Sequence, residues 1–342
     1  MLMQQELYSE PTVIRNAIAE NENEVKIIAK AVKERGIKNI TIIGRGTSDN
    51  AGLCFKYMTE ILSGIPVGTA HPSVTTMYDG HVDYSSHLVV AISQSGKSVD
   101  TLAVLDNANK KGGLTVAVTN DPMSPLAKAA KHHLYLAAGE EKSVAATKTY
   151  AAELVVLYML AIALSGKKLM HLIYELPDKV GEILNLIPKI RSVAEATRKE
   201  HNFIVLSRGP MQGVGKELSL KLAECCYSFA QFYSVTDFMH GPLALLEEGV
   251  NVIILAPGGE CTSNYIDIAT RANLLGANVY AFSDIPEVLN IANVAVKMPE
   301  AGYITATLTY AMAIHLYCLN LSIEKGLNPD APRNLKKVTI TK

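Results

Sequence analysis

The stretch 93–98 reads Ser-Gln-Ser-Gly-Lys-Ser, so hydroxyl and amide side chains surround a single glycine. A phosphate monoester needs several hydrogen-bond donors that converge on its oxygens, and it gains further from a helix N-terminus. Gly96 would let the backbone approach closely, and a helix is predicted from about Val99. The predicted side-chain donors are Ser93, Gln94, Ser95 and Ser98. These residues predict an anion site, although a serine-rich turn that only caps a helix would have the same composition.

A second polar turn, with Thr47 and Ser48, follows an apolar run at 40–43 that is predicted to be a strand. Ligands of open parallel sheets bind beyond the carboxyl ends of the strands, so both turns are expected at one sheet edge. Neither turn is a nucleotide loop. The chain has no GxxxxGKS motif, and Gly-Arg-Gly-Thr-Ser at 44–48 does not complete GxGxxG. A small phosphorylated metabolite fits these turns better than a nucleotide.

Groups suited to acid–base chemistry lie in the second half of the chain. Lys221 precedes Glu224 by one helical turn, so it could orient that carboxylate. With Glu217, however, the spacing is also that of an ordinary salt-bridged helix surface. His240, before Gly-Pro, could be a loop histidine that hydrogen-bonds the backbone, and Lys337 could be a solvated lysine of a charged tail.

The elements that must position these residues occur twice in the sequence. Three stretches align without a gap at an offset of 163: residues 39–46 with 202–209, 89–92 with 252–255, and 115–121 with 278–284. A duplicated βαβ unit is the simplest explanation. The copies differ after their second strand, where the second copy reads Ala-Pro-Gly-Gly-Glu at 256–260 and has lost the hydroxyls. Only the first copy is therefore predicted to hold an anion.

Short apolar runs rich in Val and Ile alternate with helical segments along the chain. Such runs, without polar alternation, are typical of strands covered on both faces. The strand candidates are 40–43, 88–92, 115–119, 134–136, 203–206, 252–255, 279–282 and 294–298. The helix candidates are 50–62, 99–111, 124–131, 215–228 and 263–275, with further helices expected within 4–34 and 151–199. This pattern predicts the α/β class, with a doubly wound parallel sheet in each half.

Composition excludes several classes of protein. Hydrophobic residues make up 49% and charged residues 19%, which supports a large core and argues against disorder. A net charge of −1 without a basic run argues against nucleic acid as a partner. No apolar run reaches about 20 residues and no signal peptide is evident, so we expect a cytoplasmic protein without a membrane partner. The five cysteines lack metal-ligand spacing, and neither a metal nor a cofactor is predicted.

With Ser-Gln-Ser-Gly after a buried strand, and with the duplication, the chain resembles the double sugar-isomerase (SIS) domain proteins. Further stretches narrow the resemblance to the isomerase half of the glucosamine-6-phosphate synthases. They are Gly-Thr-Ser at 46–48 with Ala-Gly at 51–52, Val-Ala-Ala-Thr-Lys at 144–148, Leu-Lys-Leu-Ala-Glu at 220–224, His-Gly-Pro-Leu at 240–243, and Pro-Arg-Asn-Leu-Lys-Lys-Val-Thr at 332–339. The opening at 5–11 is similar to the segment that begins this half, so the resemblance covers essentially the whole chain.

The resemblance implies two tandem SIS domains with flavodoxin-like sheets flanked by helices. The expected domains are 35–165, which would bind the phosphate, and 200–325. An N-terminal helical segment is expected at 1–34 and a helical linker at 166–199. A tail at 326–342 is expected to close on the site.

The resemblance also implies roles for single residues. Glu224 would move the proton between C1 and C2 of the sugar, with Lys221 orienting it or contacting the sugar, while His240 would open the ring. Lys337 would form an imine with the open-chain ketose. The implied substrate and phosphate contacts are Thr47, Ser48, Ser93, Gln94, Ser95, Gly96, Ser98, Val144 and Thr147, although Thr147 could equally only begin a helix. In this family the ring-opening histidine comes from the neighbouring subunit, which implies a homodimer with composite sites.

The implied activity is the interconversion of glucosamine 6-phosphate with fructose 6-phosphate and ammonia. The synthases carry a glutaminase domain with an N-terminal cysteine ahead of this region. Here Met1 is followed by Leu2, so we expect no glutamine hydrolysis. Arg45 stands where the synthases usually have cysteine, and Ala146 where they usually have serine, which leaves the substrate open. The alternatives are a deglycase of a phosphorylated fructosamine, a galactosamine-type substrate, and a non-catalytic sugar-phosphate sensor.

Overall fold

Two five-stranded parallel sheets form in the computed structural model, which describes residues 1–337. The first contains β1 (Asn39–Ile43), β2 (Val67–Thr69), β3 (His87–Ile92), β4 (Leu114–Thr119) and β5 (His132–Tyr135). The second contains β6 (Asn202–Ser207), β7 (Phe229–Ser234), β8 (Asn251–Ala256), β9 (Asn278–Ser283) and β10 (Val294–Lys297). The strand orders are β2-β1-β3-β4-β5 and β10-β9-β8-β6-β7, the same doubly wound order in each half. The predicted α/β class is confirmed.

Helices connect and cover the strands. They are α1 (Leu2–Tyr8), α2 (Glu10–Glu34), α3 (Thr47–Ser63), α4 (Pro72–Thr76), α5 (Val99–Lys110), α6 (Pro125–Ala129), α7 (Lys148–Ser165), α8 (Met170–Glu182), α9 (Ile187–Thr197), α10 (Gln212–Cys226), α11 (Val235–Met239), α12 (Thr262–Leu274), α13 (Pro286–Ile291) and α14 (Tyr303–Glu324). Short 3-10 turns lie at Ile183–Leu186, Gly209–Met211 and Pro242–Leu245.

The register of the first sheet brings its two polar turns to one edge. Ile43 of β1 pairs with Ala91 of β3, so these neighbouring strands end almost level. In β3 every residue except His87 is buried, which explains the unbroken apolar run. The turn after β1 and the turn after β3 therefore both begin at the carboxyl edge, as the sequence predicted.

Two long helices, α7 in one part of the chain and α14 in another, are predominantly apolar along their whole length. By length and composition alone, α7 and α14 could cross a membrane, but 83% and 89% of their apolar windows are buried inside the protein. Burial on all sides explains why both helices are apolar around their whole circumference. We therefore describe them as core helices.

The chain divides into two compact units. The first unit comprises residues 9–141, 148–177 and the tail from Lys336, and it contains the first sheet. The second unit comprises residues 1–8, 142–147 and 178–335, and it contains the second sheet. Residues 338–342, part of the tail predicted to close on the site, lie outside the described residues, and the predicted domain boundaries stay a prediction.

Within the second unit, the start of α1 is capped by a residue from far along the chain. The two carboxylate oxygens of Asp330 accept hydrogen bonds from the backbone N–H groups of Leu2 at 2.8 Å and Met3 at 2.9 Å. These N–H groups have no acceptor within their own helix, and a carboxylate also suits the positive end of the helix dipole.

The structure contains edge strands that the sequence pattern did not indicate. Strand β2 has only three residues, and its central Gly68 lowers the strand propensity. Strand β7 follows α10 after two residues, and its burial alternates because it lies at the edge of its sheet. The predicted helix at 215–228 extended past the end of α10 at Cys226, because residues 226–228 carry no turn signal.

Candidate active site

The turn between β3 and α5, residues 93–98, closes tightly around Gly96. Gly96 has φ +62°, in the left-handed region that favours glycine, and its N–H donates to the Ser93 carbonyl at 3.0 Å. A Cβ atom here would lie 2.1 Å from Ser124 Oγ. Glycine is therefore required at this position, whatever ligand the turn holds.

The hydroxyl groups of this turn are partly exposed and partly engaged. Ser98 Oγ caps α5, where it accepts hydrogen bonds from the Thr101 N–H at 3.4 Å and from Thr101 Oγ1 at 3.0 Å. Ser95 Oγ accepts from the Lys97 N–H at 3.4 Å. Both oxygens act as acceptors in these contacts, so their own O–H groups can still donate to an anion. Helix capping and anion binding are therefore compatible at Ser98.

The turn after β1 has a different internal arrangement. Thr47 and Ser48 begin α3; Thr47 is partly exposed, whereas Ser48 is 8% exposed. The Ser48 hydroxyl donates to Glu153 Oε1 of α7 at 2.8 Å, within the first unit. The predicted phosphate ligand Ser48 thus has an internal acceptor, which spacing could not reveal because Glu153 lies 105 residues away.

Lys337, the predicted imine-forming lysine, is held by a buried carboxylate of the first unit. Its Nζ lies 2.6 Å from Glu141 Oε2, and the Glu141 side chain is 0% exposed. Glu141 also accepts hydrogen bonds from the Thr149 N–H at 3.2 Å and from Thr149 Oγ1 at 2.8 Å. Glu141 was missed in the sequence, although it stands three residues before the Val144 motif.

In the second unit, α10 brings together the predicted acid–base residues. Lys221 is fully buried; its Nζ lies 3.2 Å from Glu217 Oε1 and donates a short hydrogen bond to Glu224 Oε2. Burial would lower the pKa of Lys221, but the charges of Glu217 and Glu224 outweigh this and raise it above its ordinary value. Lys221 is therefore a permanent cation beside Glu224, as its predicted orienting role requires.

A buried histidine extends this cluster. His315 of α14 is 1% exposed, and its Nε2 lies 3.5 Å from Glu217 Oε1. No spacing pattern connects the two residues, because they are nearly 100 positions apart and His315 lies in an apolar run. The Lys221 ammonium at 3.2 Å compensates the Glu217 carboxylate, whose side chain is 0% exposed, and the His315 ring lies beside the same carboxylate.

Glu224, by contrast, reaches a cavity of about 550 Å³ in the second unit. Its side chain is 24% exposed. The cavity is lined by Ala223, Glu224, Tyr227, Ser228, Phe229, Ala230, Arg333, Asn334 and Leu335. The Arg333 guanidinium stacks 4.2 Å above the Tyr227 ring, and the Arg333 N–H donates to Tyr227 Oη at 2.8 Å. The Pro-Arg-Asn-Leu motif therefore helps to line the cavity that Glu224 faces.

His240 lies elsewhere in the second unit. It ends α11, it is exposed, and its N–H donates to the Asp237 carbonyl at 3.1 Å. Among the described residues that line the Glu224 cavity, His240 does not occur. Its predicted role, and the predicted contribution from a neighbouring subunit, stay predictions.

The loop 142–147, also in the second unit, is fixed by a residue of α1. The buried Glu6 carboxylate accepts hydrogen bonds from the Ser143 hydroxyl and from the Ser143 N–H, the latter at 3.2 Å. Val144 is partly exposed and Thr147 is 0% exposed. Glu6 lies more than 130 residues away and carried no signal in the sequence.

The predicted site residues are thus divided between the units. The first unit carries Thr47, Ser48, Ser93, Gln94, Ser95, Gly96, Ser98 and Lys337, and the second carries Val144, Thr147, Lys221, Glu224 and His240. Among residues 1–337, no group of three or more His, Cys, Asp or Glu side chains is arranged to hold a metal ion. The arrangement offers donors for an anion in one unit and an oriented carboxylate in the other.

Comparison with known proteins gives a family match in each half. The family model for the SIS domain matches residues 35–163 and 197–315.

Curated relatives match over nearly the whole chain. A glutamine–fructose-6-phosphate aminotransferase (isomerizing) of Thermococcus kodakarensis is 34% identical over 350 residues, covering 99% of this chain and 58% of the relative. The enzyme of the same name from Pyrococcus horikoshii is 32% identical and covers 99% and 57%. The chain thus spans somewhat over half the length of these relatives.

Solved structures share the fold. A Silicibacter pomeroyi protein provisionally assigned as a phosphosugar isomerase has a TM-score of 0.87 and 30% identity, covering 96% of this chain and 100% of that one. The C-terminal domain of glucosamine-fructose-6-phosphate aminotransferase from Francisella tularensis has a TM-score of 0.89 and 25% identity, covering 97% and 98%. A glucosamine-6-phosphate deaminase from Thermotoga maritima has a TM-score of 0.78 and covers 100% of both chains, but at 22% identity it shows the fold alone.

Proposed function

The chain belongs to the SIS domain family, and on this premise we propose that it interconverts glucosamine 6-phosphate with fructose 6-phosphate and ammonia. The relatives at 32–34% identity are named for an isomerising reaction of fructose 6-phosphate. Ammonia rather than glutamine is the proposed nitrogen donor in the reverse direction.

The observation that carries this proposal is the placement of Glu224. One side of its carboxylate meets the buried Lys221 ammonium, and the rest faces a cavity of about 550 Å³. A carboxylate held in a fixed orientation, with an open side, suits proton transfer between adjacent carbons. The Pro-Arg-Asn-Leu motif, which lines the same cavity, favours an amino-sugar phosphate over other phosphosugars.

In the proposed reaction, the pyranose ring opens first, with His240 of a neighbouring subunit, as the family resemblance implies, moving a proton between the C1 hydroxyl and the ring oxygen. Glu224 then takes the proton from C2 of the 2-amino aldehyde and returns it to C1, while a second proton passes from the amine nitrogen to the C1 oxygen. The product is the imine of fructose 6-phosphate. Addition of one water and loss of one ammonia give the ketose phosphate, so the atoms balance without a metal or an organic cofactor.

Lys337 would act on the open-chain ketose. Its amine must lose a proton before it can attack a carbonyl carbon, and the Glu141 carboxylate at 2.6 Å is placed to accept that proton. Attack on C2 expels water and gives an imine, which makes the neighbouring C–H acidic. Ammonia can then replace the lysine amine in the amination direction.

The first test is ammonia release from glucosamine 6-phosphate by the purified protein, with Glu224→Gln beside it. We expect release by wild type and a loss of about 10²- to 10⁴-fold in the variant, because the carboxylate supplies general acid–base catalysis. Glu195→Gln, which removes an exposed carboxylate paired with Arg191 at 3.2 Å, is the matched control and should keep full activity.

The remaining outcomes separate the other candidates. Formation of glucosamine 6-phosphate from fructose 6-phosphate with ammonium, but not with glutamine, would support glutamine independence. Ammonia release only from a phosphorylated fructosamine or from galactosamine 6-phosphate would refute glucosamine 6-phosphate as the substrate. Tight sugar-phosphate binding without turnover of any of them would refute an enzyme and favour a sensor.

A further inference from the structure

The cradle formed by residues 44–48 and 93–98 contains an ion pair. Arg45 Nη2 lies 2.8 Å from Asp100 Oδ2, within the first unit. Arg45 belongs to the turn after β1, and Asp100 is the second residue of α5, directly beyond the turn after β3. The pair therefore joins the two polar turns that the sequence predicted to share one anion.

The two partners differ in exposure. The Asp100 side chain is 6% exposed and that of Arg45 is 57% exposed. A carboxylate at the N-terminus of α5 is stabilised by the helix dipole, but it uses the same positive end that an incoming phosphate would use. It also repels a phosphate, because two negative charges a few ångströms apart interact strongly where water is partly excluded.

Resting on the function proposed above, we infer that Arg45 is a specificity-determining positioning residue for the phosphate group. By pairing with Asp100 it cancels the charge of the buried carboxylate and holds the two turns together. The cradle can then accept the two negative charges of a phosphate monoester. The guanidinium, which is largely exposed, keeps further donors for the phosphate oxygens.

This inference makes the effects of the two residues interdependent. In Arg45→Ala the Asp100 charge stays behind uncompensated, and phosphate binding should weaken about tenfold or more, as expected when a charged hydrogen-bond partner is lost. When Asp100→Asn is already present, no charge needs to be cancelled, and Arg45→Ala should weaken binding less than about threefold. Arg45→Lys keeps the charge and should recover most of the loss.

The experiment measures equilibrium binding rather than turnover. Fructose 6-phosphate, inorganic phosphate and unphosphorylated fructose are titrated calorimetrically into four proteins: the parent, Arg45→Ala, Asp100→Asn and the double variant. All carry Glu224→Gln, so that no reaction occurs. Arg191→Ala, which removes a 2.9 Å ion pair with Glu324 in the second unit, is the matched control and should not change phosphate affinity.

A loss in Arg45→Ala that is confined to phosphorylated ligands and largely abolished by Asp100→Asn would support the inference. An equal loss in both backgrounds, no loss, or a lower melting temperature with unchanged affinity would overturn it. Failure of the parent to bind fructose 6-phosphate and inorganic phosphate would overturn both this inference and the proposed function. Interdependent binding without any ammonia release would refute only the proposed function.

Discussion

The two copies of the duplicated unit carry different side chains at equivalent positions of an equivalent helix. In α10 of the second copy, the buried Glu217 and Lys221 form a charged cluster with the partly exposed Glu224. The residues 163 positions earlier in α3 are Cys54, Met58 and Ile61. Cys54 and Met58 are fully buried, so the first copy has ordinary core packing where the second has charged side chains.

The turns differ in the opposite sense. In the first copy the turn 93–98 carries hydroxyls, and the nearby Asp121 carboxylate accepts a hydrogen bond from the Met123 N–H at 2.8 Å, within its own loop. The counterpart Asp284 instead accepts the Gly258 N–H of the neighbouring turn at 2.6 Å. The second copy thus places its own carboxylate where the first leaves donors for a ligand. Under the proposed function, the first copy would hold the phosphate and the second would supply the acid–base group.

The largest effect on stability is expected when a residue of α10 is replaced by its counterpart in α3. Lys221→Met introduces the residue that the first copy has, but it leaves Glu217 and Glu224 without their buried cation. We expect a loss of about 3–5 kcal/mol in the free energy of unfolding, measured by urea denaturation. The control is Lys56→Met in α3, which removes a partly exposed 2.8 Å pair with Glu60 and should cost less than about 1 kcal/mol. Similar losses of unfolding free energy in Lys221→Met and Lys56→Met would refute the difference proposed between α10 and α3.

A smaller difference in stability is expected between glycine substitutions in the turn 93–98 and in its counterpart at 256–260. Gly96→Ala combines left-handed backbone strain with a Cβ placed 2.1 Å from Ser124 Oγ, whereas a Cβ at Gly258 would be 3.4 Å from its nearest neighbour, Asp284 Oδ1. We expect a cost of about 2–3 kcal/mol for the first variant and under about 0.5 kcal/mol for Gly258→Ala. Thermal melts with and without fructose 6-phosphate would show this, and a tolerated Gly96→Ala would mean that the first turn is not rigid.

The paired aspartates should respond differently to removal. Asp284→Ala leaves the Gly258 N–H without its carboxylate and should cost about 1–2 kcal/mol, more than Asp121→Ala, which removes a local contact in an exposed loop. Wild type already has the proposed phosphate site of the first copy, so inorganic phosphate should raise the melting temperature of Asp284→Ala by more than it raises that of wild type, at equal ionic strength. If phosphate stabilises the two proteins equally, Asp284 does not occupy an anion position.

The smallest effect concerns acid stability. Burial lowers the pKa of His133 in β5 below its ordinary value of 6.5, so the unfolded chain binds this proton more readily than the folded protein. The resulting stability is fully present above the ordinary pKa of 6.5 and is lost progressively as the pH falls below it. The counterpart in β10 is Val296. His133→Val should flatten the fall in melting temperature over this range, and an unchanged slope would assign the acid sensitivity to other groups.

Local patterns in the sequence were sufficient for the central strands, the duplication and the placement of the two turns. Runs such as 88–92 and 252–255 indicate buried strands because burial on both faces removes polar alternation. What the sequence could not reveal are partners that meet only after folding. Glu153 with Ser48, Glu141 with Lys337 and Glu6 with Ser143 are each separated by more than 100 residues, so no spacing rule connects them. Edge strand β2 was missed because three residues are too few for a periodic signal.

The capping of α1 by Asp330 has a consequence for synthesis on the ribosome. Helix α1 belongs to the second unit, and its first N–H groups can meet their carboxylate only after residue 330 has left the exit tunnel. The 328 residues that separate Leu2 from Asp330 must therefore be made before the N-terminus of α1 is capped. Until then, the apolar side chains of Met3 and Leu7, which are 0% exposed in the finished protein, are available to chaperones that recognise nascent chains.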